Sequence, residues 1–223
     1  MSAVNIDPIV AQYRKAFADN GRGQSAVLCP KGRQPIRYAA MLKGFALVNQ
    51  SILDYGCGLA HLYEYLLQNA PQCSYRGVDI VPEFIDDNAK RFAGAQFSLI
   101  AGIDDVQQHA DIVIASGVFN LRYVADPVQN QAFVYSQIAR LFELSKLGVC
   151  VDFLSNYVDF QAPGAFHIAP GEVLRFVHEN LSRRAIVDHA YLPYEYCVTV
   201  YKDDAIDRAQ SIYGNPDGRD QQL

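Results

Sequence analysis

Short apolar runs alternate with longer segments of helical periodicity through most of the chain. The apolar runs predict strands at 51–55, 74–79, 95–100, 110–115 and 148–154. The segments between and after them repeat apolar residues on one helix face, and they predict helices at 59–69, 82–93, 127–145 and 170–180. Strands that alternate with helices indicate a parallel sheet joined by right-handed crossovers, so the pattern predicts an α/β fold.

The residues before the first strand do not follow this alternation. Apolar residues at near-helical spacing predict a helix over residues 4–18, which Asn20-Gly21 ends. Residues 21–35 are rich in Gly and Pro and predict a loop, and residues 36–48 form a second predicted helix. We therefore expect residues 1–49 to form an N-terminal unit of helices and a lid.

The last part of the chain also differs from the central pattern. Residues 182–190 and 194–202 are strand-like runs joined by a short turn, so they predict a hairpin whose last strand is antiparallel. The main domain is expected to cover residues 50–213. The polar tail 214–223 contains Gly and Pro and is expected to be disordered.

A glycine-rich turn follows the first predicted strand. The segment Ser51–Ala60 reads SILDYGCGLA, in which Gly56 and Gly58 allow a tight turn and let a ligand approach the backbone. The helix that follows presents unpaired N–H groups to that ligand. About 20 residues later the second strand ends at Asp79, and an acid at this offset suits a ribose diol. The chain is therefore predicted to bind an adenosine-containing cofactor.

The positions after the turn narrow the choice of cofactor. A dinucleotide fingerprint needs a third glycine where this chain has His61, and a P-loop needs a G-K-[ST] sequence that does not occur. The pattern D-x-G-x-G-x-G fits better, with Asp54, Gly56 and Gly58 in place and Ala60 instead of the last glycine. Over residues 50–202 the chain resembles the class I S-adenosylmethionine (SAM)-dependent methyltransferases. The Ala60 methyl group is expected to narrow the site without blocking it.

The resemblance implies a Rossmann-like, doubly wound sheet of seven mostly parallel strands, with a C-terminal antiparallel hairpin and an N-terminal helical lid. It places Asp54 near the methionine amino end of SAM, Asp79 at the ribose, and Asp104 or Asp105 beside the adenine. The loop that begins at Ser116 would face the transferred methyl group. The residues expected to bind SAM are Arg37, Asp54, Gly56, Cys57, Gly58, Asp79, Ile80, Asp104 and Ser116.

Several of these residues also have structural interpretations. Asp54 could cap a loop, Asp104 could cap a short helical turn at the surface, and Arg37 could be a solvated charge instead of a partner for the SAM carboxylate. Asp79 could cap the next helix, although the cap position is expected nearer Val81.

The loop from Leu154 to Ala169 offers candidates for catalysis, because loops after strands carry function on a rigid scaffold. His167 is the candidate general base, since histidine titrates near neutral pH. Tyr157 and Asn120 complete the predicted catalytic set. The alternatives are that His167 is an ordinary loop histidine and that His61 is the base.

Composition limits the classes of ligand and partner. The 223 residues carry a net charge of −5, and the basic residues cluster no further than Arg183-Arg184, which argues against nucleic acid. Five cysteines without metal spacing or a signal peptide indicate a reducing cytoplasm. Apolar runs are too short to span a membrane. Metal-dependent relatives place an acid where this chain has Ser116, so we expect no metal.

The sequence thus predicts a SAM-dependent methyltransferase that acts on a small polar acceptor, such as a sugar or another hydroxyl-bearing metabolite, with O-methylation favoured. Two other functions stay open at this point. The first is an NAD(P)-dependent oxidoreductase, which His61 disfavours. The second is a SAM-binding module that supports a partner without catalysis, an option that Ala60 keeps open. The oligomeric state is not predicted.

Overall fold

The computed structural model describes residues 4–202, so the predicted tail 214–223 lies outside the described residues. Its strands form one sheet of order β3-β2-β1-β4-β5-β8-β7, with the two-residue β6 paired to the end of β5. The strands are β1 (Ser51–Tyr55), β2 (Ser74–Asp79), β3 (Gln96–Leu99), β4 (Ala110–Ala115), β5 (Ser145–Ser155), β6 (His167–Ile168), β7 (Ala185–Leu192) and β8 (Glu195–Tyr201).

The sheet has the predicted pairing. Strands β1 to β5 run parallel to their neighbours, whereas β8 is antiparallel to both β5 and β7. The mostly parallel sheet with a C-terminal antiparallel hairpin is therefore confirmed. The strand order reverses between β1 and β4, and open α/β sheets bind ligands at such a switch point, beyond the carboxyl ends of the strands.

Helices cover both faces of the sheet. They are α1 (Asp7–Asn20), α2 (Arg33–Leu42), α3 (His61–Asn69), α4 (Pro82–Arg91), α5 (Pro127–Leu144) and α6 (Pro170–Asn180). On one face, α5 and α6 pack on Leu53, Val113 and Val151 of the strands. On the other face, α2 and α3 pack on Ile52 and Ile112. Both faces of the central strands β1, β4 and β5 are therefore buried, which explains their largely apolar sequence, whereas the edge strand β3 is mostly exposed.

The N-terminal helix is held against α4. The ring of Phe84 meets Tyr13 and Phe17 edge to face, at centroid distances of 6.1 and 5.5 Å. Arg22 donates two hydrogen bonds to Asp87, which adds a charged contact between the same two parts of the chain. Together these contacts hold α1 against α4, with Ile9 and Tyr13 of α1 at the cavity.

Three predicted boundaries were wrong. Helix α2 begins at Arg33, not Ile36, because Pro35 fits the first turn of a helix, where its missing N–H has no partner to lose. It ends at Leu42, not Val48. Helix α3 begins at His61, not Leu59, because Ala60 before it has left-handed backbone angles.

The segment around the fifth strand also differs from its prediction. Helix α5 ends at Leu144 and β5 starts at the next residue, so the strand is longer than the predicted 148–154. The predicted loop 154–169 contains the short strand β6, which pairs with Leu154 and Ser155. Within residues 4–202 no helix combines the length and apolarity needed to cross a membrane.

Candidate active site

A cavity of about 880 Å³ lies at the carboxyl ends of the strands, on the switch point between β1 and β4. Its floor is the turn after β1, the end of β2 and the loops after β3 and β4. Residues of α1, α2 and α5 form its walls. The volume lies toward the upper end of the ~300–1,000 Å³ typical of small-molecule sites.

The glycine turn forms the part of the floor beneath α1 and α2. Gly56 and Gly58 have φ angles of 74° and 53°, which side chains rarely adopt. A Cβ atom on Gly56 would lie 2.5 Å from Cγ2 of Val118, and one on Gly58 would lie 2.9 Å from Cγ1 of Val27. Glycine is therefore required at both positions by conformation and by space.

Ala60 does not narrow the cavity, contrary to the prediction. Its φ angle is 58°, in the left-handed region that favours glycine. The residue is fully buried in the cluster that contains Leu62 and Tyr63, and it is not among the residues that line the cavity. The methyl group points into the core, so the missing glycine leaves the ligand space unchanged.

Asp79 links the ends of the first two strands. Its carboxylate accepts hydrogen bonds from the backbone N–H groups of Gly58 (2.8 Å) and Val81 (2.9 Å). Burial raises the pKa of Asp79 to about 6, although these backbone donors oppose the shift. The carboxylate also lines the cavity. Asp79 thus holds the backbone just before α4 but does not cap the helix, whose N-cap is Val81 and has no side-chain cap hydrogen bond.

Asp54 lies deeper at the same edge. Its carboxylate accepts a hydrogen bond of 2.6 Å from the hydroxyl of Tyr75. Burial raises the pKa of Asp54 to about 7, while the Tyr75 hydrogen bond opposes the shift and the charge of Asp79 adds to it. Because the side chain is only 2% exposed, its protonation depends on what enters the cavity.

Arg37 is buried in a network of charges, so the solvated alternative does not apply. Its Nε and Nη2 atoms donate to one oxygen of Glu195 at 2.9 and 2.6 Å, and Nε lies 3.3 Å from a carboxylate oxygen of Asp152. Burial alone would lower the pKa of Arg37, but Asp152 and Glu195 raise it above its usual value. Arg33 joins Glu195 at 3.2 Å from the solvent side.

Sequence reasoning missed Asp152 and Glu195. Asp152 accepts a hydrogen bond of 2.5 Å from the N–H of Gly117, which lines the cavity, and so connects the loop after β4 to Arg37. A charged residue inside the apolar run of β5 was a signal that could have identified Asp152. Glu195 had no comparable signal, because it stands at the start of a strand beside a turn.

The nine residues predicted to bind the cofactor all line this cavity. Arg37, Asp54 and Asp79 are buried, whereas Asp104 is exposed at the rim. Asp105 is not part of the lining, and its carboxylate accepts a hydrogen bond of 2.7 Å from the N–H of Ala101.

Comparisons with known proteins agree with this geometry. A family model described as a methyltransferase domain matches residues 53–141, from β1 into α5. A protein of Mycobacterium tuberculosis (strain ATCC 25618 / H37Rv), named provisionally as methyltransferase Rv1506c, is 29% identical over 157 residues, which cover 68% of this chain and 93% of that protein.

Solved structures share the fold at low identity. A SAM-dependent methyltransferase from Aquifex aeolicus is 14% identical with a TM-score of 0.59, over 87% of this chain and 98% of that one. The N-methyltransferase NodS from Bradyrhizobium japonicum WM9, in complex with S-adenosylhomocysteine (SAH), is 13% identical with a TM-score of 0.60, over the same shares. Together, the matched methyltransferase domain, the relative and the shared fold indicate a SAM-dependent methyltransferase.

The methyltransferase uses SAM, so the oxidoreductase alternative does not apply, and neither does the non-enzymatic one. The part of the chain that the structure describes fits this cofactor. The turn at Gly56 and Gly58 leaves a space that side chains would fill, and the Oε1 atom of Gln34 is buried at the cavity wall without a hydrogen-bond partner. A buried polar atom of this kind calls for a ligand group.

The predicted catalytic residues do not line the cavity of the methyltransferase. The Nδ1 atom of His167 lies 2.7 Å from the carbonyl oxygen of Ser155, within the pairing of β5 and β6. Tyr157 is 68% exposed, and the Nδ2 atom of Asn120 lies 3.4 Å from Asp152. A catalytic role for His167, Tyr157 and Asn120 therefore stays a prediction that the cavity lining does not support.

His61 is the histidine that does line the cavity. Its Nε2 atom lies 3.0 Å from the carbonyl oxygen of Arg22, and since a carbonyl accepts, Nε2 carries the proton. In that tautomer Nδ1 is the accepting nitrogen, and no residue among 4–202 donates a hydrogen bond to it. Among residues 4–202, no three His, Cys, Asp or Glu side chains are grouped so that they could hold a metal ion.

Proposed function

We propose that the protein transfers the methyl group of SAM to an oxygen of a small acceptor, without a metal ion. The observation that carries this proposal is that all nine predicted cofactor residues line one cavity, which extends past them toward α1 and α5. One chamber can thus hold the cofactor and an acceptor side by side. The acceptor must be small because the cavity, at about 880 Å³, is shared.

Each end of SAM has a proposed partner in the cavity. Asp79 binds the ribose hydroxyls, with Ile80 and Asp104 beside the base. The backbone at Gly56, Cys57 and Gly58 meets the methionine chain, since these residues leave no side chain in its way. Asp54, Arg37 and Gln34 surround its amino-acid end, and Ser116 faces the methyl group.

Methyl transfer is an in-line displacement in which SAM supplies a methyl group activated by the sulfonium. The residues of the chain have two tasks: they align the acceptor, a contribution worth up to ~7–11 kcal/mol, and they receive the proton of a hydroxyl acceptor. We assign the second task to His61, because its Nε2–H is held by the Arg22 carbonyl and Nδ1 is left to accept a proton.

Calorimetry with SAH and NADH tests the cofactor assignment. SAH should bind and NADH should not, and a ligand at 100 times its dissociation constant should add ~2.7 kcal/mol of stability. Labelled SAM with candidate acceptors then tests the transfer. Turnover that stops on chelation and returns with Mg²⁺ would contradict the metal-free proposal.

A further inference from the structure

The cavity is also lined by residues outside the predicted cofactor set, and these have a distinct composition. It is bounded by the residues just before α1 together with Ile9 and Tyr13, by the loop 123–125, and by the inward face of the first half of α5. We call these residues the acceptor wall. They come from the N-terminal unit and from the region after β4, and we infer that they border the acceptor.

No described residue of the acceptor wall carries a formal charge. Its polar side chains are amides or hydroxyls: Asn5, Tyr13, Tyr123, Gln129, Ser136 and Gln137. The Oε1 atom of Gln137 already accepts a hydrogen bond of 3.2 Å from Tyr55. The remaining members are mostly aliphatic or aromatic, so the wall offers few hydrogen bonds and no counter-charge.

The basic residues of the cavity, Arg37 and His61, are not placed to pair with an anionic acceptor at the acceptor wall. Arg37 is engaged by Glu195 and Asp152, both of which are almost fully buried. His61 opens the first turn of α3, beside the glycine turn, and bonds the Arg22 carbonyl. A phosphate or carboxylate against the aromatic part of the acceptor wall would lose hydration without a charged partner on that wall, which is costly.

Aromatic rings form a fixed part of the acceptor wall. The rings of Tyr123 and Phe133 lie 5.2 Å apart between centroids. The Tyr123 hydroxyl donates to the carbonyl oxygen of Val118 at 2.8 Å, so this ring is held in place. Tyr13 is held on the α1 side by Phe84. Such rings favour contact with a flat apolar body.

We propose that the acceptor is an uncharged aromatic molecule that carries a hydroxyl group, and that phosphorylated or carboxylated acceptors are rejected. This inference rests on the proposed function, since it assumes that SAM fills the other part of the cavity. It replaces the sugar-like acceptor expected from the sequence, because a sugar presents hydroxyls on every side, whereas the wall has six polar side chains, of which Tyr123 and Gln137 already form hydrogen bonds.

Three matched probes test the proposal on the full chain saturated with SAH: 1-naphthol, 1-naphthyl phosphate and 1-naphthoate. Calorimetry or saturation-transfer NMR should find 1-naphthol bound at least ~10-fold more tightly than either anion, a difference of ~1.4 kcal/mol. Phe133→Ala should weaken naphthol binding while SAH affinity stays the same. An anion that binds as well as naphthol, or naphthol that does not bind, would overturn the proposal.

A charge added to the acceptor wall gives a second test. Gln129→Lys should strengthen 1-naphthyl phosphate binding, whereas Val128→Lys on the same helix, at a residue 75% exposed, should not. Equal effects of the two variants would mean that phosphate binds at the surface, against the proposal. SAH binding is measured first, and its absence would contradict the proposed function itself. Normal SAH binding together with tight binding of an anion would contradict only the proposed acceptor class.

Discussion

The carboxylate of Asp79 accepts a hydrogen bond of 2.8 Å from the backbone N–H of Gly58, so the acid that ends β2 supports the turn that follows β1. The two residues are 21 positions apart in sequence and line the same cavity. The geometry of the glycine turn and the position of the proposed ribose partner are therefore coupled.

Replacing Asp79 with alanine should weaken SAH binding by at least tenfold. The variant loses hydrogen bonds between a charged group and the ribose hydroxyls, each worth ~1.5–3 kcal/mol, and it also releases the N–H of Gly58. Calorimetry measures the affinity, with Asp86→Ala on the exposed side of α4 as the control. Unchanged SAH affinity would limit Asp79 to a structural role.

Gly58→Val should abolish cofactor binding. A valine would need a φ angle near 53°, and its Cβ would lie 2.9 Å from Val27. Gly171→Val is the control, since a Cβ at Gly171 meets nothing within 4 Å and α6 is remote from the site. If Gly58→Val keeps both a native circular dichroism spectrum and SAH affinity, the turn does not contact the cofactor.

Protonation of Asp54 should make the stability of the ligand-free protein fall as pH rises. Burial raises the folded-state pKa of Asp54 to about 7 from 3.8, so the folded state holds this proton more tightly than the unfolded state does. The loss of stability should begin above pH 3.8 and be complete once the pH has passed about 7. Asp79, with a pKa raised to about 6, acts in the same direction.

Asp54→Asn separates this contribution, because asparagine can still accept a hydrogen bond from Tyr75 but does not ionise. Urea denaturation between pH 4 and 8 should show a flatter decline for the variant, with the remaining slope due in part to Asp79. Parallel curves for the two proteins would contradict the raised pKa of Asp54.

Removing one carboxylate from the network around Arg37 should destabilise the fold. Glu195→Ala leaves Arg37 buried with Asp152 as its remaining acid, so we expect a loss of ~3 kcal/mol, at the lower end of the effect of breaking a buried pair. Urea denaturation measures it. Glu143→Ala breaks an exposed pair with Arg140 and should cost less than ~1 kcal/mol. Similar losses in the two variants would show that the buried network adds no special stability.

Replacing His61 should impair catalysis, whereas replacing His167 should not. His61→Ala should lower the rate of methyl transfer to a hydroxyl acceptor by ~10²-fold with little change in SAH affinity, because the base is lost. His167→Ala should leave both unchanged, since its Nδ1 is engaged with the backbone of Ser155. A loss of turnover in His167→Ala alone would return the catalytic role to the loop after β5.

Local sequence determined the alternating strands and helices of the chain and the residues predicted to bind the cofactor. The turn at Gly56 and Gly58 and the acid Asp79 could be predicted because a strand, a turn and the start of a helix depend on neighbouring residues and on parallel pairing. The order of strands and helices followed from periodicity for the same reason. Helix ends were less certain: Ala60 adopts a left-handed conformation that its side chain gives no reason to expect.

Only the tertiary structure showed which distant residues contact the predicted cofactor residues. Arg37 meets Glu195 across 158 positions of sequence, and no local pattern records such a contact. His167 and His61 were both plausible bases because each follows or opens an element at the same edge of the sheet. Only the folded chain shows that His61 lies at the cavity and that His167 lies in a strand pair. Long-range packing sets these distances because it depends on the shape and charge of whole faces, not on the spacing of residues along the chain.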